Sequence, residues 1–470
     1  MSIRIEHLKF TYFEDRKDIL SDLSAEFDAG EITILTGASG CGKSTLLYLA
    51  AGIYPHSAGV LRSGTLEVEG VRPDSLTPKK RCTLVGMMFQ NPELQFCMDT
   101  VEHELLFCLE NICTPREAMM EQVEKALAFC EISHLKERTL HSLSGGERQK
   151  VMLACLTLLA PKWLLLDEPF ANIDDASARM IAGKLKELNR TRGIGILAVD
   201  HRLENWLGIA DQVRVMENGV LRPEVMDANT LDPELLKELG VIVPGEAYEP
   251  KLPKADPGDV VLELKNLTLR HQNNVIFRNV NGSFRSGCIY AVLGESGCGK
   301  SSLFGALSGL YSYQGQALLQ GRDLRKLRKK DLGKIGFVTQ NPQDQFVSDT
   351  VREEILVGLK KREDAEEKTE EILRGIRLWR YRDISPYMLS QGQQRRLGVA
   401  ALMAYPCKVL VCDEPTYAQD RNNTAAIMDS LCRQAREHGV ALIFSTHDRQ
   451  LAQDYADEIL ELKGGSLCVH

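Results

Sequence analysis

Short runs of apolar residues recur along the chain, each bounded by glycine, proline or charged residues. The first half carries "EITIL", "WLLLD" and "GILAV", and the second half carries "IYAVL", "VLVC" and "ALIFS". Apolar runs of this length between turn signals are typical of buried strands, and helix-compatible segments separate them. Each set is preceded by a strand-like opening, "SIRIEHLKFTY" or "VVLELKNLTLR". The pattern predicts two similar α/β halves.

The two halves are copies of an internal repeat. "LTGASGCGKSTLL" begins at Leu35 and returns as "LGESGCGKSSLF" at Leu293, and later motifs follow in the same order. We expect domains at 1–225 and 259–470, because a core rarely serves 470 residues. The segment 226–258 is expected to be a linker, since "PGEAYEPKLPKADPGD" is rich in proline, glycine and charge and is typical of exposed chain.

Composition narrows the class of protein only moderately. The hydrophobic fraction is 44% and the charged fraction 26%, as in globular domains. A net charge of −8 argues weakly against nucleic acid as a partner. Thirteen cysteines lack zinc-site spacing, and "MSIRIEHLKF" lacks a signal-peptide pattern, so we expect free thiols in a reducing cytosol. The longest apolar run is broken by Pro161 and Lys162 and is too short to span a bilayer.

Both halves contain the phosphate-binding pattern G-x-x-x-x-G-K-[ST] directly after an apolar strand. Its glycines turn backbone N–H groups toward phosphate, its lysine adds a charge, and its last residue can reach Mg²⁺. An ordinary glycine turn could explain one match but hardly two in register. The predicted binding residues are Gly37, Ala38, Ser39, Gly40, Cys41, Gly42, Lys43, Ser44 and Thr45, with Gly294, Glu295, Ser296, Gly297, Cys298, Gly299, Lys300, Ser301 and Ser302.

Two carboxylates end a buried-looking strand in each half. Asp167 and Glu168 close "WLLLDEP", and Asp413 and Glu414 close "VLVCDEP". A strand end beside a phosphate loop can hold Mg²⁺ through the aspartate, while the glutamate polarises an attacking water. An isolated acidic pair could be a solvated turn, but the phosphate loop in the same half favours the catalytic interpretation.

The segments "LSGGERQK" and "LSQGQQRR" begin with capping boxes. Ser144 with Glu147, and Ser390 with Gln393, predict well-capped helices. A helix N-terminus that carries a serine is also an anion site. These Leu-Ser-Gly-Gly-Gln-like sequences resemble the signature motif of ABC ATPases.

With the signature motif, the resemblance to ABC ATPases covers both halves nearly end to end. It implies two tandem P-loop domains, each a RecA-like α/β core with an antiparallel β subdomain and a helical signature subdomain, packed head to tail. Each Mg²⁺·ATP would then lie between the P-loop of one half and the signature of the other. Both halves belong to one chain, so this pairing should be intramolecular.

The resemblance also assigns roles to single residues. The implied catalytic residues are Glu168, Glu414, His201, His447, Gln90 and Gln340. The implied metal-site residues are Ser44, Gln90, Asp167, Ser301, Gln340 and Asp413, and the D-loop aspartates are Asp174 and Asp420. The implied signature residues are Ser144, Gly145, Gly146, Glu147, Ser390, Gln391, Gly392 and Gln393.

The resemblance is less uniform at the histidines, at the adenine-stacking position and at one signature glycine. A histidine that follows an apolar strand is often only a hydrogen-bonded structural residue, but the constant spacing from the Asp-Glu pair favours a switch role for His201 and His447. Tyr12 matches the aromatic residue that stacks on adenine, whereas the second half has His271 there. Gln391 replaces a signature glycine, so we expect hydrolysis at both sites with unequal rates.

The segments "FQNPELQF" and "TQNPQDQF" contain Gln90 and Gln340, which the resemblance implies to be the Gln-loop residues. Each could be a turn that leads into a helix. They resemble, however, the ATPases of energy-coupling factor (ECF) transporters, which drive vitamin and cobalt or nickel uptake. That resemblance implies a peripheral protein at the cytoplasmic face of the membrane, whose partners are an integral membrane scaffold and a substrate-binding membrane subunit. The expected exposed contacts are Leu94, Phe96, Phe346 and Val347.

Two other functions fit a tandem ABC ATPase. Relatives that act on ribosomes carry a long charged helical linker, and those that act on DNA carry zinc modules or coiled coils, none of which the sequence indicates. Tandem ATPases of sugar importers usually degrade one catalytic half, whereas both halves here keep Lys, Asp, Glu and His. No nucleic-acid partner is expected.

Overall fold

The computed structural model describes most of the chain and divides it into two compact units, residues 1–244 and 245–470. The described residues are 2–14, 17–171, 173–228, 230–231, 233–238, 241–242, 245–254, 256–271, 274–295, 297–327, 334–360, 362–417 and 419–469. Among them, no helix combines the length and the apolar character needed to cross a bilayer.

The strands of the first unit form two sheets. They are β1 (Ser2–Thr11), β2 (Leu20–Asp28), β3 (Ile32–Thr36), β4 (Val60–Val68), β5 (Val85–Met88), β6 (Trp163–Asp167), β7 (Gly195–Val199), β8 (Gln212–Glu217) and β9 (Val220–Asp227). The larger sheet has the order β5-β6-β7-β3-β8-β9 and is parallel except at β9. The smaller sheet, β2-β1-β4, is antiparallel.

The second unit repeats this architecture. Its strands are β10 (Val260–His271), β11 (Asn274–Arg285), β12 (Ile289–Leu293), β13 (Gln314–Leu319), β14 (Arg322–Asp323), β15 (Ile335–Val338), β16 (Val409–Cys412), β17 (Ala441–Ser445), β18 (Glu458–Lys463) and β19 (Ser466–Val469). The order β15-β16-β17-β12-β18-β19 is parallel except at β19, and β11-β10-β13-β14 is antiparallel. The mixed α/β class predicted from the apolar runs is confirmed.

Helices flank the sheets and form a separate helical layer in each unit. The first unit has α1 (Lys43–Ala50), α2 (Pro78–Leu84), α3 (Val101–Asn111), α4 (Arg116–Phe129), α5 (Gly145–Leu159), α6 (Asp175–Arg192) and α7 (Pro233–Glu238). The second has α8 (Lys300–Ser308), α9 (Val351–Leu359), α10 (Ala365–Gly375), α11 (Gln391–Met403), α12 (Arg421–His438) and α13 (Arg449–Tyr455). Short 3₁₀ turns lie at Pro73–Ser75, Pro92–Leu94, Ser133–Leu135, Leu140–Ser142, Leu324–Lys326, Pro342–Gln345, Trp379–Tyr381 and Pro386–Met388.

Local sequence explains where the long helices begin and end. The Thr100 side chain accepts the backbone N–H of His103 at the start of α3, which satisfies one of the free donors of a helix N-terminus. Gly193 and Gly439 end α6 and α12 in the left-handed conformation, which glycine adopts without steric cost. The central strands β3, β6 and β7 are buried at every residue, as expected for a parallel sheet covered on both faces.

The segment expected to be an exposed linker supplies core residues to both units. Leu236 and Val241 are buried in the first unit, and Tyr248 is buried in the second. The backbone N–H of Tyr248 donates to Asp454 at 2.6 Å, and its ring lies 6.0 Å from that of Tyr455. The expectation of exposure is therefore wrong at Tyr248, because one aromatic residue in a polar stretch is enough to anchor the chain. The domain limits 1–225 and 259–470 stay a prediction.

Candidate functional site

The predicted site residues of each unit meet at one edge of its parallel sheet. In the first unit Gln90 follows β5, Asp167 ends β6, His201 follows β7, and the phosphate loop follows β3. These four strands are neighbours in the sheet. The second unit repeats the arrangement with β15, β16, β17 and β12. The carboxyl ends of adjacent parallel strands are where ligands bind in open α/β sheets.

The first phosphate loop is shaped by glycine and by an inward-folded lysine. Gly37 has φ 136°, and a Cβ there would lie 2.1 Å from the carbonyl oxygen of Met216, so only glycine fits. Lys43 is buried, and its Nζ donates to the carbonyls of Gly37 at 2.8 Å and Ala38 at 3.0 Å. Within the described residues, no side chain caps α1. Its first N–H groups and the ammonium therefore suit a phosphate anion.

The second phosphate loop has the same construction. Gly294 has φ 154°, and a Cβ there would stand 2.7 Å from the carbonyl oxygen of Leu462. Nζ of Lys300 donates to the carbonyls of Gly294 at 2.7 Å and Glu295 at 3.1 Å. Among the residues that the structure describes, no side chain caps α8 either. Ser296, predicted to bind ATP, lies outside the described residues.

Hydroxyl and carboxylate oxygens meet beside each phosphate loop. Ser44 Oγ donates to Asp167 Oδ1 at 3.0 Å in the first unit. In the second unit the predicted Ser301 hydrogen-bonds the Asp413 carboxyl group, to which Ser445 Oγ also donates at 2.6 Å. Burial raises the pKa of Asp167 to about 6, although the hydrogen bond from Ser44 opposes it. A buried carboxylate of this kind gains from a nearby cation, and hydroxyl and carboxylate oxygens are ligands that Mg²⁺ prefers. The residues fit the predicted magnesium sites.

Glu168 is the centre of the first cluster. Its Oε2 accepts from Nε2 of Gln90 at 2.8 Å, and its Oε1 lies 3.4 Å from Nε2 of His201. Burial raises the pKa of Glu168 to about 8, and the charges of Asp167 and Asp200 add to the shift. A carboxyl group whose pKa lies near neutrality, in contact with a histidine, is suited to accept a proton from water.

Glu414 occupies the corresponding place in the second unit with different neighbours. Its Oε1 lies 2.9 Å from Nε2 of His447, and its backbone N–H donates to Ser445 Oγ at 2.9 Å. Burial raises the pKa of Glu414, but the hydrogen bond and charge of His447, together with Lys300 and Arg395, outweigh it and leave the pKa below its ordinary value. At neutral pH the carboxyl group of Glu414 is therefore ionised, whereas that of Glu168 is mostly protonated.

Both glutamates have an uncommon backbone conformation. Glu168 and Glu414 each have φ 49°, in the left-handed region that residues with a side chain rarely adopt. Such a conformation costs about 1 kcal/mol or more, and it is concentrated at functional sites. Its presence in both copies supports a functional role for these two residues.

The repeated Asn-Pro-x-x-Gln-Phe segments fold back onto the preceding strand through their second glutamine. Gln95 Oε1 accepts from the backbone N–H of Phe89 at 2.7 Å, and its Nε2 donates to the carbonyl of Met87 at 2.9 Å. In the second unit, Gln345 Oε1 accepts from the backbone N–H of Thr339 at 3.3 Å. Gln95 and Gln345 therefore hold in place the loops that carry Gln90 and Gln340. In the sequence, the only sign of this role is that both copies of the repeat have a glutamine at this position.

A buried glutamate holds the far end of each segment. Glu104 Oε2 accepts from the backbone N–H groups of Cys97 at 2.9 Å and Met98 at 2.8 Å. Glu354 accepts the two corresponding N–H groups at 3.0 and 2.9 Å. Both carboxylates are almost fully buried. The segment is thus fixed at both ends by side-chain hydrogen bonds.

The apolar residues between these anchors differ in exposure. Leu94 and Val347 are each 73% exposed, whereas Phe96 is half-buried against the helical core. Phe346 is 8% exposed and packs within the second unit's helical core. The expectation that Phe346 is an exposed contact is therefore wrong, because the chain turns it inward beside α9.

The signature segments form the predicted capping boxes. Ser144 accepts the backbone N–H of Glu147, whose carboxylate accepts the N–H of Ser144 at 2.7 Å. Ser390 and Gln393 exchange the equivalent bonds. The helix starts are therefore well ordered, and their expected role opposite the P-loop of the other half stays a prediction.

The signature glycines allow close packing. A Cβ at Gly146 would stand 2.8 Å from Ser177 Oγ, so α5 and α6 approach each other closely there. In the second unit the Gly392 carbonyl accepts from Nε2 of Gln419 at 3.2 Å. Gln391, where the first unit has Gly145, is the first residue of α11 and is half-buried.

The D-loop aspartates act as helix caps. Asp174 Oδ1 accepts the backbone N–H of Ser177 at 2.9 Å at the start of α6. Asp420 Oδ1 accepts the backbone N–H of Asn423 at 2.8 Å at the start of α12. Both contacts are local, as expected of N-cap residues.

The aromatic position before the first phosphate loop belongs to a cluster. The Tyr12 hydroxyl lies 2.8 Å from Thr45 Oγ1, and its ring centroid lies 5.4 Å from that of Phe10 and 5.8 Å from that of Tyr54. His271 is exposed at the end of β10. The first unit thus offers an aromatic ring beside its phosphate loop, whereas the second has an exposed imidazole at the end of β10.

Comparison with known proteins identifies relatives over nearly the whole chain. A family model described as ABC transporter matches residues 20–171 and 277–417. YkoD of Bacillus subtilis (strain 168), whose name assigns it provisionally to HMP/thiamine import as an ATP-binding protein, is 36% identical over 490 residues, covering 98% of this chain and 89% of YkoD. SSO1893 of Saccharolobus solfataricus, named provisionally as an ABC transporter ATP-binding protein, is 30% identical and covers 99% of this chain and 93% of its own length.

Solved structures share the fold at low sequence identity. A chain in the structure described as a model of ribosome-bound archaeal Pelota and ABCE1 has a TM-score of 0.72 and 18% identity, covering 99% of this chain and 78% of its own length. A structure described as RNase-L Inhibitor has a TM-score of 0.64 and 18% identity, covering 98% of this chain and 90% of its own length. At this identity the likeness concerns the fold alone.

Proposed function

Because the chain belongs to the ABC transporter family, with the family's ATP-binding domain present twice, we propose that it is the ATPase subunit of an ECF-type importer. In this proposal, ATP hydrolysis drives uptake of a vitamin or a transition-metal micronutrient through membrane partner subunits. The family relationship makes the chain an ATPase. The import role is supported by the 36% identity to YkoD over 98% of the chain.

The chemistry of hydrolysis follows from the first cluster. Lys43 and the open N–H groups of α1 bind the phosphates of ATP. In its ionised form Glu168 accepts hydrogen bonds from the attacking water and takes up its proton, while His201 beside it stabilises the charge that develops on the terminal phosphate. Mg²⁺, held by Ser44 and Asp167, supplies charge neutralisation when bound.

The second unit retains the same groups, with Lys300 in its phosphate loop and Glu414 in contact with His447. We therefore propose hydrolysis at two sites. Each site would combine the P-loop of one half with the signature of the other, so that Gln391 faces the ATP bound by Lys43. The larger side chain at that position makes the two sites unequal.

The observation that carries the transport role is one exposed apolar side chain within or directly after each Asn-Pro-x-x-Gln-Phe segment: Leu94 lies within the first segment, and Val347 directly follows the second. Leu94 and Val347 are equally exposed although the loops that carry them are pinned at both ends. An exposed leucine or valine on a rigid loop loses little conformational entropy when a partner covers it. Two such positions suit two helices of a membrane scaffold at the cytoplasmic face of the membrane.

The test is affinity purification of the full chain from detergent-solubilised native membranes. Small integral membrane proteins should copurify with the wild type and be lost from the double variant L94E/V347E. The matched control is L310E/V469E, which changes two other exposed apolar residues, 76% and 67% exposed, and should retain the partners. Thermal unfolding of both variants would verify that they are folded.

Three results would contradict parts of this proposal. Recovery of ribosomes or nucleic acid in place of membrane proteins would identify a soluble tandem ABC ATPase instead. Equal loss of membrane partners from the control variant would show that Leu94 and Val347 are not specific contacts. Purification of a sugar-binding importer complex would move the chain to another importer class.

A further inference from the structure

The first signature helix carries one arginine near its second turn, Arg148, whereas the second carries two, Arg395 and Arg396, which begin one position later. The first helix reads Arg148-Gln149 and the second reads Gln394-Arg395, counted from the capping serine in the same register. One residue corresponds to about 100° of rotation around a helix. The guanidinium groups of Arg148 and Arg395 therefore point away from their helices in different directions.

In the first unit the arginine bonds the far side of the Gln loop. Arg148 pairs with the carboxylate of Glu93, and it donates to the carbonyls of Leu140 at 3.3 Å and His141 at 3.2 Å. It thus joins the turn before the signature to the Asn-Pro-x-x-Gln-Phe segment. Gln149 is 2% exposed, and its Oε1 has no hydrogen-bond partner among the described residues.

In the second unit the arginine bonds the backbone of the Gln loop itself. Arg395 is 2% exposed, and it donates to the carbonyls of Thr339 at 2.7 Å and Gln340. Its guanidinium also lies 5.8 Å from the ring centroid of Tyr417. The signature helix thus holds the loop at the residue expected to sense the ATP.

A neutral pair replaces the ion pair of the first unit. Gln394 stands where Arg148 stands, and it accepts from Nε2 of Gln343 at 3.2 Å. Its own Nε2 donates to the carbonyls of Pro386 at 3.3 Å and Tyr387 at 3.4 Å. The junction between signature helix and Gln loop is therefore present in both units but is built from different groups.

The side chains of the two Gln-loop glutamines, Gln90 and Gln340, also differ in burial and in hydrogen bonding. Gln90 is half-buried, and its Nε2 donates to Glu168. Gln340 is exposed, and its backbone carbonyl accepts a hydrogen bond from Arg395. A backbone carbonyl held by a buried guanidinium cannot rotate freely, so the direction of the attached side chain is constrained.

We propose that the position of this arginine sets the conformation of each Gln loop, so that Arg395 is a positioning residue for hydrolysis at the second cluster and Arg148 for hydrolysis at the first. The inference rests on the proposed assignment of Glu168 and Glu414 as the catalytic carboxylates. It gives the two ATP sites different loop geometries even before the signature difference at Gln391 acts.

The experiment isolates the second cluster by working in the full chain with E168Q. Adding R395Q, which copies the buried Gln149, should lower kcat about tenfold, or roughly 1.4 kcal/mol in the barrier, while the KM for ATP changes less than about twofold. R395K should restore part of the rate, because an ammonium can still donate to one of the two carbonyls. The matched control R396K copies Lys150 of the first unit and should keep the rate.

A rescue variant separates positioning from mere structure. Q343E/Q394R/R395Q rebuilds the first unit's ion pair in the second unit and should recover most of the lost kcat. Amide hydrogen exchange of residues 339–346 should rise in R395Q and fall again in the rescue variant, with residues 297–301 unchanged. Unchanged exchange at residues 297–301 separates a local change in the Gln loop from a loss of global stability.

Several outcomes would overturn the proposal. A rise in KM with unchanged kcat, an unrescued loss accompanied by a lower unfolding temperature, or unchanged exchange at 339–346 would each show that Arg395 is only a packing residue. Failure of the catalytic assignment gives a different result, because E168Q/E414Q would then remain active before any arginine is changed. Failure of the transport role would leave these ATPase measurements unaffected.

Discussion

The two catalytic clusters share every motif and differ in the electrostatics of their glutamates. The pKa of Glu168 is raised to about 8 by burial and by two nearby carboxylates, whereas the pKa of Glu414 is lowered. In the nucleotide-free protein at neutral pH, the first glutamate is mostly protonated and the second is ionised. The same catalytic set therefore has two different resting states within one chain.

Part of the cause lies in residues outside the motifs. Strand β7 ends at Val199 and is followed by Asp200, whereas β17 ends at Ser445 and is followed by Thr446. Asp200 adds a buried negative charge near Glu168. Ser445 instead connects the second acidic pair by accepting one hydrogen bond and donating another. Opposing burial, the hydrogen bond and charge of His447 act most strongly on Glu414, so motif residues and their neighbours together set the pKa of each glutamate.

Removing both carboxylates should have the largest effect. The double variant E168Q/E414Q should lose ATPase activity by at least about 10²-fold, because proton transfer from the attacking water contributes this much or more. Each single variant should retain the turnover of the other site. Single-turnover hydrolysis in both single variants measures the two rates separately, and full activity in either one would mean that its glutamate is not catalytic.

The second largest effect should be on the pH dependence of the free energy of unfolding, to which Glu168 and Glu414 contribute with opposite sign. Glu168 ionises near pH 4.5 when unfolded and near 8 when folded, so its contribution to stability is present below pH 4.5 and is lost as the pH rises toward 8. The loss should be on the order of 3 kcal/mol without metal or nucleotide. Glu414 has the opposite sign, since its contribution is present above its unfolded pKa of 4.5 and is lost as the pH falls through its lowered folded pKa.

The measurement is urea unfolding at pH 5 and pH 8 in EDTA. A W379F background leaves Trp163 and Trp206 as fluorescent reporters of the first unit. E168Q should abolish the destabilisation at pH 8, and D200T, which copies Thr446, should reduce it. An unchanged pH dependence in E168Q would assign the effect to another group.

Exchanging the signature residues should have a smaller effect on rate. Q391G should raise turnover of the site that contains Lys43 about threefold, roughly 0.7 kcal/mol in the barrier, because a glycine lets the helix start approach phosphate closely. G145Q should lower turnover of the other site by a similar factor. The E414Q and E168Q backgrounds isolate the two sites, and a change at the wrong site would contradict the head-to-tail pairing.

The smallest expected difference between the two units is the effect of salt on hydrogen exchange where the signature helix contacts the Gln loop. The side chain of Glu93 in the Glu93–Arg148 pair is 48% exposed, so its contribution of about 0.5 kcal/mol should be screened by salt. E93Q/R148Q, which copies the neutral pair of the second unit, should make hydrogen exchange of residues 93–95 independent of salt. The amides around Gln343 serve as the internal control, and an equal salt response there would contradict the interpretation.

The sequence by itself determined the features that depend on local pattern and on repetition. Continuous apolar runs require buried strands, the glycine-lysine loops require a strand-to-helix turn, and Ser144 with Glu147 forms its capping box within a single helical turn. Each motif occurs in both copies of the repeat at corresponding positions, which makes a chance match to the motif patterns improbable. The α/β class and the location of the candidate site residues along the chain were therefore predictable.

Only the tertiary structure decided which neighbours surround these residues. Gln90, Asp167 and His201 meet because β5, β6 and β7 are adjacent in the sheet, although β6 lies far from β5 along the chain. Burial of Phe346 and Tyr248, the bonds of Arg395 to the Gln loop, and the opposite pKa shifts of the two glutamates all depend on long-range packing. Desolvation and charge interactions sum over every nearby atom, so no local pattern of residues encodes them.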